Sequence, residues 1–531
     1  MALSSFSPAA PCTAPTFSSI SLFGAQILHT TATPVTNYPQ TNSIISPILR
    51  DAQPPVIVQN ASFCNVTVTY THPGRDDALT AEIWLPSLPA GWNGRLQSVG
   101  GGGWTAGRSL SSYASMAGAV YEGYATATTD GGIPPGTGPE SWGLVSEGNL
   151  NTVALENFGD RSLGDLAILA KAAIRAYYAQ DPLYSYWTGC SNGGRQASIL
   201  AQQYPSAYDG ILAAAPALHW PQIAITRAWP SFYMDLTKQY PRKCEMEALT
   251  RFAIAQCDAL DGVQDGLISD PEKCRKRFRL REFLGKSILC SEVGEKIRIS
   301  AAAVDVTRAL LAGPRFANGD FLWFGYEPGT DLSALVVLDP ACTGHGGGAC
   351  TPASVTDPLT PLSWWKTFVL KNNEANVTSL THAQYDQLYL TLKKVLVPVA
   401  ATEPRITDFQ RAGGKMLTFH GLADNAITPE STLHYFQEVS SALDNVPDFY
   451  RYYRVPGLEH CSGGSGGQPV HLFDQLRAWV EKGTAPGASA VTVTLPSNGT
   501  MEQLICPYPQ KAVYQRGCGR RSSSEGCWKC T

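Results

Sequence analysis

Short apolar runs closed by glycine or proline recur through the first half of the chain: RLQSVG (95–100), GYATATTD (123–130), LYSYWTG (183–189) and GILAAAP (210–216). Each of these short β-rich runs predicts a strand, GILAAAP a buried one. Between the second and third lies NFGDRSLGDLAILAKAAIRAYYAQ (157–180), whose apolar residues recur at three and four spacing and predict an amphipathic helix. GRQASILAQQYPSAYDG (194–210) predicts a second helix before the last of these strands. From about His219 the rhythm fades into acidic, basic and glycine-rich segments, with one helical stretch, PRKCEMEALTRFAIAQC (241–257). It returns with strand-like KMLTFHG (415–421), helix-like STLHYFQEVSSAL (431–443), strand-like FYRYYRVPG (449–457) and helix-like QPVHLFDQLRAWVEKG (468–483). Strand and helix in alternation predict an α/β fold on a mainly parallel sheet. That core is split into residues 1–218 and 401–531, with an insertion over 219–400.

Composition narrows the function. Of 531 residues 44% are hydrophobic and 16% charged, which argues against long disorder. A net charge of −4 predicts no nucleic-acid partner and no acidic membrane surface, since both need clustered cations. The one basic stretch, KCRKRFRLREFLGK (273–286), reads as a solvated face. No apolar run approaches the ~18 residues that span a bilayer, so no membrane role is expected. Nothing in the chain sets an oligomeric state. Fourteen cysteines, an even number, predict disulfides and an oxidising compartment. Asn60, Asn65, Asn376 and Asn498 each open a glycosylation triplet, which agrees with secretion. The opening MALSSFSPAAPC lacks the basic and apolar regions of a leader peptide.

The chemistry concentrates where strands end. Gly189-Cys190-Ser191-Asn192-Gly193 fits G-x-S-x-G, with a predicted strand before it and a predicted helix after. Such a turn exposes the serine as a nucleophile and aims the following N–H, that of Asn192, at a developing oxyanion. Gly463-Gly464-Ser465-Gly466-Gly467 satisfies the same pattern, but no strand delivers Ser465 into a sharp turn, and it reads as a loop. A serine needs a base and an orienting acid, which follow in that order of Ser, Asp, His in α/β-hydrolases. HGLADNAITP places Asp424 just past a strand, and RVPGLEHC places His460 past the next. His420 reads as a residue that pins the acid's turn, and Asp408 and Asp444 lie in polar contexts away from strand ends. Of the four glycines 100–103, which follow another strand, Gly102 is the favoured second oxyanion donor.

Cys190 immediately precedes the predicted nucleophile, and Cys461 immediately follows the predicted base. A bond between them would hold Ser191 and His460 in neighbouring positions, because disulfides bring Cα atoms to about 4.4–6.8 Å. The competing reading makes Cys190 itself the nucleophile, with His460 as its base.

The segments VGGGGW (99–104), GCSNGGRQ (189–196), CDALDGVQDGLISDP (257–271), HGLADNAITP (420–429), EHC (459–461) and LICPYPQKAVY (504–514) resemble the tannase and feruloyl esterase family of serine esterases over nearly the whole chain. The resemblance implies an α/β-hydrolase core with a large inserted lid, Ser191 as nucleophile, Asp424 as orienting acid, His460 as base, and the Cys190–Cys461 bond. The acidic loop suits a hard cation, which needs several oxygens converging on one point, although no Glu stands at the twelfth position of an EF-hand. The resemblance implies that it holds a structural calcium ion (Ca2+) through Asp258, Asp261 and Asp265 and the carbonyls of Val263 and Leu267. Cys257 and Cys274 would staple that loop. Position suggests Cys12–Cys64, Cys342–Cys350 and Cys506–Cys527 as further bridges and pairs neither Cys244, Cys290, Cys518 nor Cys530. The chain departs from the family just after Cys274, where RKRFRLREFLGK replaces a less basic segment.

The expected activity is therefore hydrolysis of small or polysaccharide-linked phenolic esters, feruloyl esters favoured, through an acyl-enzyme. A tannase acting on gallate esters is the alternative. A catalytically silent calcium-binding secreted protein is the alternative of another class.

Overall fold

The computed structural model of the chain describes residues 9–38, 50–87, 91–336, 361–375, 380–515 and 525–531. Nine strands form the central sheet: β1 (Gln26–Tyr38), β2 (Ala61–Thr71), β3 (Leu79–Pro86), β4 (Arg95–Val99), β5 (Ala125–Thr129), β6 (Tyr184–Cys190), β7 (Gly210–Ala214), β8 (Lys415–Gly421) and β9 (Tyr450–Val455). They run in the order β1-β2-β3-β5-β4-β6-β7-β8-β9. From β5 to β9 every pairing is parallel, whereas β1, β2, β3 and β5 pair antiparallel. The first three strands carry no predicted counterpart. β1 is an edge strand with a threonine-rich, largely exposed sequence and a proline, Pro34, which an edge tolerates because the missing N–H is not missed there.

Strand alternation distributes the core to both faces of the sheet. Trp187, Ile211, Met416 and Tyr452 pack one way, onto the helices Ser162–Tyr178, Asn192–Gln203 and Pro429–Ala442. Their neighbours Tyr186, Leu212, Leu417 and Tyr453 pack the other way, onto the helix Leu472–Lys482. Each such side chain, fully buried, contributes about 1.5–3 kcal/mol. Because β4, β5, β6, β7, β8 and β9 are parallel, their C-terminal ends, and the loops that leave them, lie along one edge of the sheet.

No described residue between Ala214 and Lys415 adds a strand to that sheet. The segment instead builds helices, among them Trp220–Thr237, Lys243–Cys257, Ala301–Ala312 and His382–Val395. Their apolar core, with Trp229, Phe232, Leu310 and Tyr385, is continuous with Trp104, Ala106, Ala217 and Ile427 from the loops at the strand ends. The basic stretch is the solvated face its composition suggests, with all seven of its Lys and Arg residues exposed. Arg275 pairs with the buried Glu327 and with Glu430, and Lys286 lies 4.1 Å from the centre of the Phe252 ring. Past β9 the chain leaves the central sheet for two small antiparallel ones, Gly466–Pro469 with Ser489–Thr494 and Thr500–Ile505, and Ala512–Tyr514 with Trp528–Cys530.

Five disulfides join described cysteines: Cys12–Cys64, Cys190–Cys461, Cys244–Cys290, Cys257–Cys274 and Cys506–Cys530. The last corrects the expected Cys506–Cys527 pair. The terminal hairpin sets Cys530 opposite Ala512, within reach of Cys506, and Cys527 is disulfide-bonded elsewhere. Cys342, Cys350 and Cys518 lie outside the described residues, as does Asn376. Asn60 and Asn498 are exposed. Asn65 is a poorer glycan acceptor than its triplet suggests, because it lies within β2 with its amide donating to Glu82 (3.1 Å). Peptide mapping without reductant is expected to recover a cross-linked fragment containing Cys506 and Cys530, and a fragment joining Cys506 to Cys527 would reverse this correction.

Candidate active site

β6 ends at Cys190, and the chain turns through Ser191 directly into the helix Asn192–Gln203. Ser191 adopts φ 60° and ψ −120°, a strained conformation for a residue with a side chain. The turn is tight enough that a Cβ on Gly189 would come within 2.6 Å of the Gly193 backbone. Ser465 has no such setting, since a short strand, Gly466–Pro469, follows it and its carbonyl accepts from the Thr494 N–H (2.7 Å).

Asp424 leaves the end of β8 and is fully buried. Its Oδ2 accepts from His460 Nδ1 (2.7 Å) and from His420 Nε2 (3.0 Å), and its Oδ1 accepts from the N–H groups of Ala426 and Ile427 (2.8 Å each). Burial alone would raise the carboxyl's pKa. The charge on His460 and the hydrogen bonds from His420 and His460 reverse that and hold it far below the ordinary carboxylate range. His460 is 23% exposed. With Nδ1 donating to a carboxylate, the neutral ring keeps its lone pair on Nε2. His420 is fully buried, its Nε2 shared between Asp424 and the Ile427 carbonyl and its Nδ1 accepting from Thr432 Oγ1 (2.8 Å), so it cannot meet a substrate. Asp408 sits in a short helix with its side chain 76% exposed.

Ser191, Asn192 and His460 line one cavity together with Gly103, Ala217, Trp220, Ile223, Trp364 and Ile427. Within the glycine run, the Gly100 N–H is taken by the Thr188 carbonyl (3.1 Å) and the Gly101 N–H by Gln196 Oε1 (3.0 Å). Among the described residues Gly102 and Gly103 have no acceptor for theirs, and neither has Asn192 at the first turn of its helix. The Cys190–Cys461 bond, with Cα atoms 5.8 Å apart, ties the end of β6 to the loop that carries His460. A cysteine so bonded offers no thiolate, which removes the reading of Cys190 as nucleophile in the oxidised protein.

The acidic loop between Cys257 and Cys274 is internally wired. Asp258 Oδ1 accepts from the N–H groups of Asp265 (2.9 Å) and Gly266 (3.1 Å), Asp261 Oδ1 from that of Val263 (3.1 Å), and Asp265 Oδ1 from that of Leu267 (3.0 Å). Among the described residues the other oxygens of Asp261 and Asp265 are buried without a partner at full hydrogen-bond geometry, with Ser269 beside Asp261 favouring its ionised form. Burial, then repulsion from Asp261 and Asp258, pushes the Asp265 carboxyl up to about 7. Orphaned oxygens on mutually repelling carboxylates fit a hard cation, although the three side chains do not all reach within 4.8 Å of one another. Among the described residues the set that does, Cys244, Cys290 and Glu292, includes a disulfide and offers no thiolate ligand.

The sequence patterns single out neither Trp220 nor Trp364, which come from distant parts of the insertion and follow no period, nor the polar side chains that brace the glycine run. Among the described residues no helix is long and apolar enough to cross a membrane.

A family model described as tannase and feruloyl esterase matches residues 64–528. A probable feruloyl esterase of Arthroderma benhamiae is 36% identical over 476 residues, covering 88% of this chain and 86% of that protein. A tannase of Aspergillus oryzae is 27% identical over 503 residues, covering 85% of this chain and 83% of its own length. The solved structure of the tannin acyl hydrolase from Aspergillus niger matches with a TM-score of 0.83 at 26% identity, covering 98% of this chain and 95% of that one. With an α/β-hydrolase core and a family match over most of its length, the chain belongs to the tannase and feruloyl esterase family, whose members are carboxylic ester hydrolases.

Proposed function

We propose that the chain is a secreted serine esterase that cleaves phenolic acid esters, feruloyl esters in preference to gallates, with Ser191, Asp424 and His460 as its triad. The observation that carries this reading is the Asp424 carboxylate, ionised, buried and bonded to Nδ1 of a partly exposed His460 that shares a cavity with Ser191. His460 Nε2 takes the proton as Ser191 Oγ attacks the ester carbonyl, and the N–H groups of Asn192 and Gly102 receive the oxyanion. Collapse of the tetrahedral intermediate expels the alcohol, protonated by His460. Water then attacks the acyl-enzyme by the same route and frees the acid. Trp220, Trp364 and Ile223 give the cavity flat apolar walls suited to an aromatic ring. The higher identity to a probable feruloyl esterase than to a tannase supports the feruloyl preference. Five disulfides support an oxidising, extracellular setting.

Calcium, held by Asp258, Asp261 and Asp265 and the carbonyls of Val263 and Leu267, would supply the positive charge that the acidic loop lacks. It would stabilise the insertion without entering the reaction. Dialysis against a chelator is then expected to lower Tm by about 1–2 degrees for each kcal/mol of binding lost, while Ser191 below that Tm still takes up a fluorophosphonate. An unchanged Tm would argue against the ion.

On a panel of methyl ferulate, caffeate, sinapate and gallate, kcat/KM is expected to be highest for a hydroxycinnamate. Ser191→Ala is expected to lose turnover and fluorophosphonate labelling while keeping the wild-type Tm, and retained turnover would refute the assignment. Asp424→Asn is expected to lower kcat about 10³–10⁴-fold. Its Tm profile carries a second sign. A carboxyl whose folded pKa is depressed stabilises the fold above its unfolded value of about 3.9 and loses that contribution as pH falls below it. The Tm of the wild type should therefore fall more steeply below about pH 4 than that of Asp424→Asn, and parallel profiles would contradict the ionised, bonded carboxylate. Replacing both Cys190 and Cys461 by alanine is expected to cost about tenfold or more in kcat, through loss of the Ser191–His460 tether. A fully active double variant would show that the bond serves something else.

A further inference from the structure

Two side chains of the helix Asn192–Gln203 strut the glycine run against the nucleophile turn. Asn192 donates through Nδ2 to the Thr105 carbonyl (3.0 Å) and accepts at Oδ1 from Arg195 Nε (2.7 Å). Gln196, one helical turn on, accepts at Oε1 from the Gly101 N–H (3.0 Å) and donates through Nε2 to the Ala106 carbonyl (2.8 Å). Both residues are fully buried. Gly102 and Gly103 are thus bracketed by anchored neighbours, at Gly101 on one side and at Thr105 and Ala106 on the other. The Gly193 N–H adds a direct bond to the Gly101 carbonyl (2.8 Å).

Arg195 decides which way the Asn192 amide faces. It is fully buried, its guanidinium donates to the carbonyls of Gly159 (2.7 Å), Phe158 (2.9 Å) and Val399 (3.3 Å), and it lies 5.0 Å from the centre of the Phe158 ring. The π-helical segment Asn157–Arg161 supplies two of those carbonyls. Burial lowers the guanidinium pKa to about 9, so the placement is costly to the fold. An arginine can only donate, and the Thr105 carbonyl can only accept. The amide oxygen must therefore face Arg195 and its nitrogen must face Thr105, so the strut has one orientation.

We propose that Asn192, Arg195 and Gln196 are, through their side chains, positioning residues for the oxyanion site, fixing the separation between the Asn192 N–H on the helix and the Gly102 N–H on the loop. This rests on the reading of Ser191 as nucleophile and of those two N–H groups as its oxyanion donors. The side chains themselves do not touch the substrate. Oxyanion donors act at about 2.7–3.1 Å, and a displacement of about 1 Å can cost on the order of 100-fold in rate.

The test uses two near-isosteric variants of the whole chain. Asn192→Asp keeps an acceptor for Arg195 and turns a second one against the Thr105 carbonyl, and Gln196→Glu does the same to the Ala106 carbonyl. Each is expected to lower kcat on methyl ferulate about 10- to 100-fold with KM changed by less than about threefold. Affinity for an arylboronic acid that mimics the tetrahedral intermediate should fall in parallel. Arg195→Ala should behave likewise and recover activity in millimolar guanidinium. If that variant fails to fold, the two isosteric ones carry the test. Unchanged kcat, or a lowered kcat with unchanged boronate affinity, would overturn the proposal. Failure of the wild type to take up fluorophosphonate at Ser191 would remove the underlying reading and this inference with it, whereas a labelled wild type beside unaffected variants would remove the inference alone.

Discussion

Ser191 is held at a positive φ that costs a residue with a side chain about 1–3 kcal/mol, and the surrounding structure has to impose it. The Ser191 N–H donates to the Ala214 carbonyl, and its own carbonyl accepts from Arg195 and Ala217, each at 3.0 Å. One strained residue is thereby tied to the end of β7, to the helix that follows it, and to the start of the insertion. The glycines around it follow from the same constraint. A Cβ at Gly194 would meet the Ala214 carbonyl oxygen at 2.6 Å, and one at Gly100 would meet the Gly193 Cα at 2.5 Å. The turn exists because neighbouring backbones come this close, and they come this close because the adjacent parallel strands β4, β6 and β7 end together there.

The second half of the site is fastened to the first by covalent and backbone links that do not depend on a substrate. Cys461 carries the His460 loop to the end of β6, and the Ala423 N–H donates to the Leu458 carbonyl (3.0 Å), joining the acid loop to the base loop. Gly421 shows how close these two loops lie, since a Cβ there would fall 2.1 Å from the Leu458 carbonyl oxygen. Preorganisation of this kind matters because a hydrolase gains rate only from interactions already aligned with the transition state.

Much of this was legible in the sequence, for identifiable reasons. Ser191 stands out because a buried strand and an amphipathic helix leave room for nothing but a sharp turn between them. Asp424 and His460 stand out because strands β8 and β9 end just before them. Cys190 and Cys461 pair readily on paper because each adjoins a residue chosen on other grounds. Illegible features lack such local signals. β1 is threonine-rich and largely exposed, so its alternation is weak, and β3 is buried almost throughout and shows none. Cys527 and Cys530 lie three residues apart, and only the hairpin register favours Cys530 as the partner of Cys506. Trp220 and Trp364 meet in the cavity across a long stretch of insertion that has no periodic pattern, and their stacked rings, 5.0 Å apart, are a product of tertiary packing alone.

Asp424 illustrates how far burial and partnership must be weighed together. An isolated carboxylate taken fully out of water would bind a proton, and its value as an orienting acid would vanish. Four donors prevent this: two backbone N–H groups on one oxygen and two imidazoles on the other. His420 is the less obvious member. Because its Nε2 bonds Asp424 and the Ile427 carbonyl together, it fixes the turn that presents the two N–H donors as well as the carboxylate they serve. Its other nitrogen is committed to Thr432 in the helix Pro429–Ala442, which anchors the acid loop to the body of the core. Asp424 is therefore presented to His460 with its direction already settled by the three other donors.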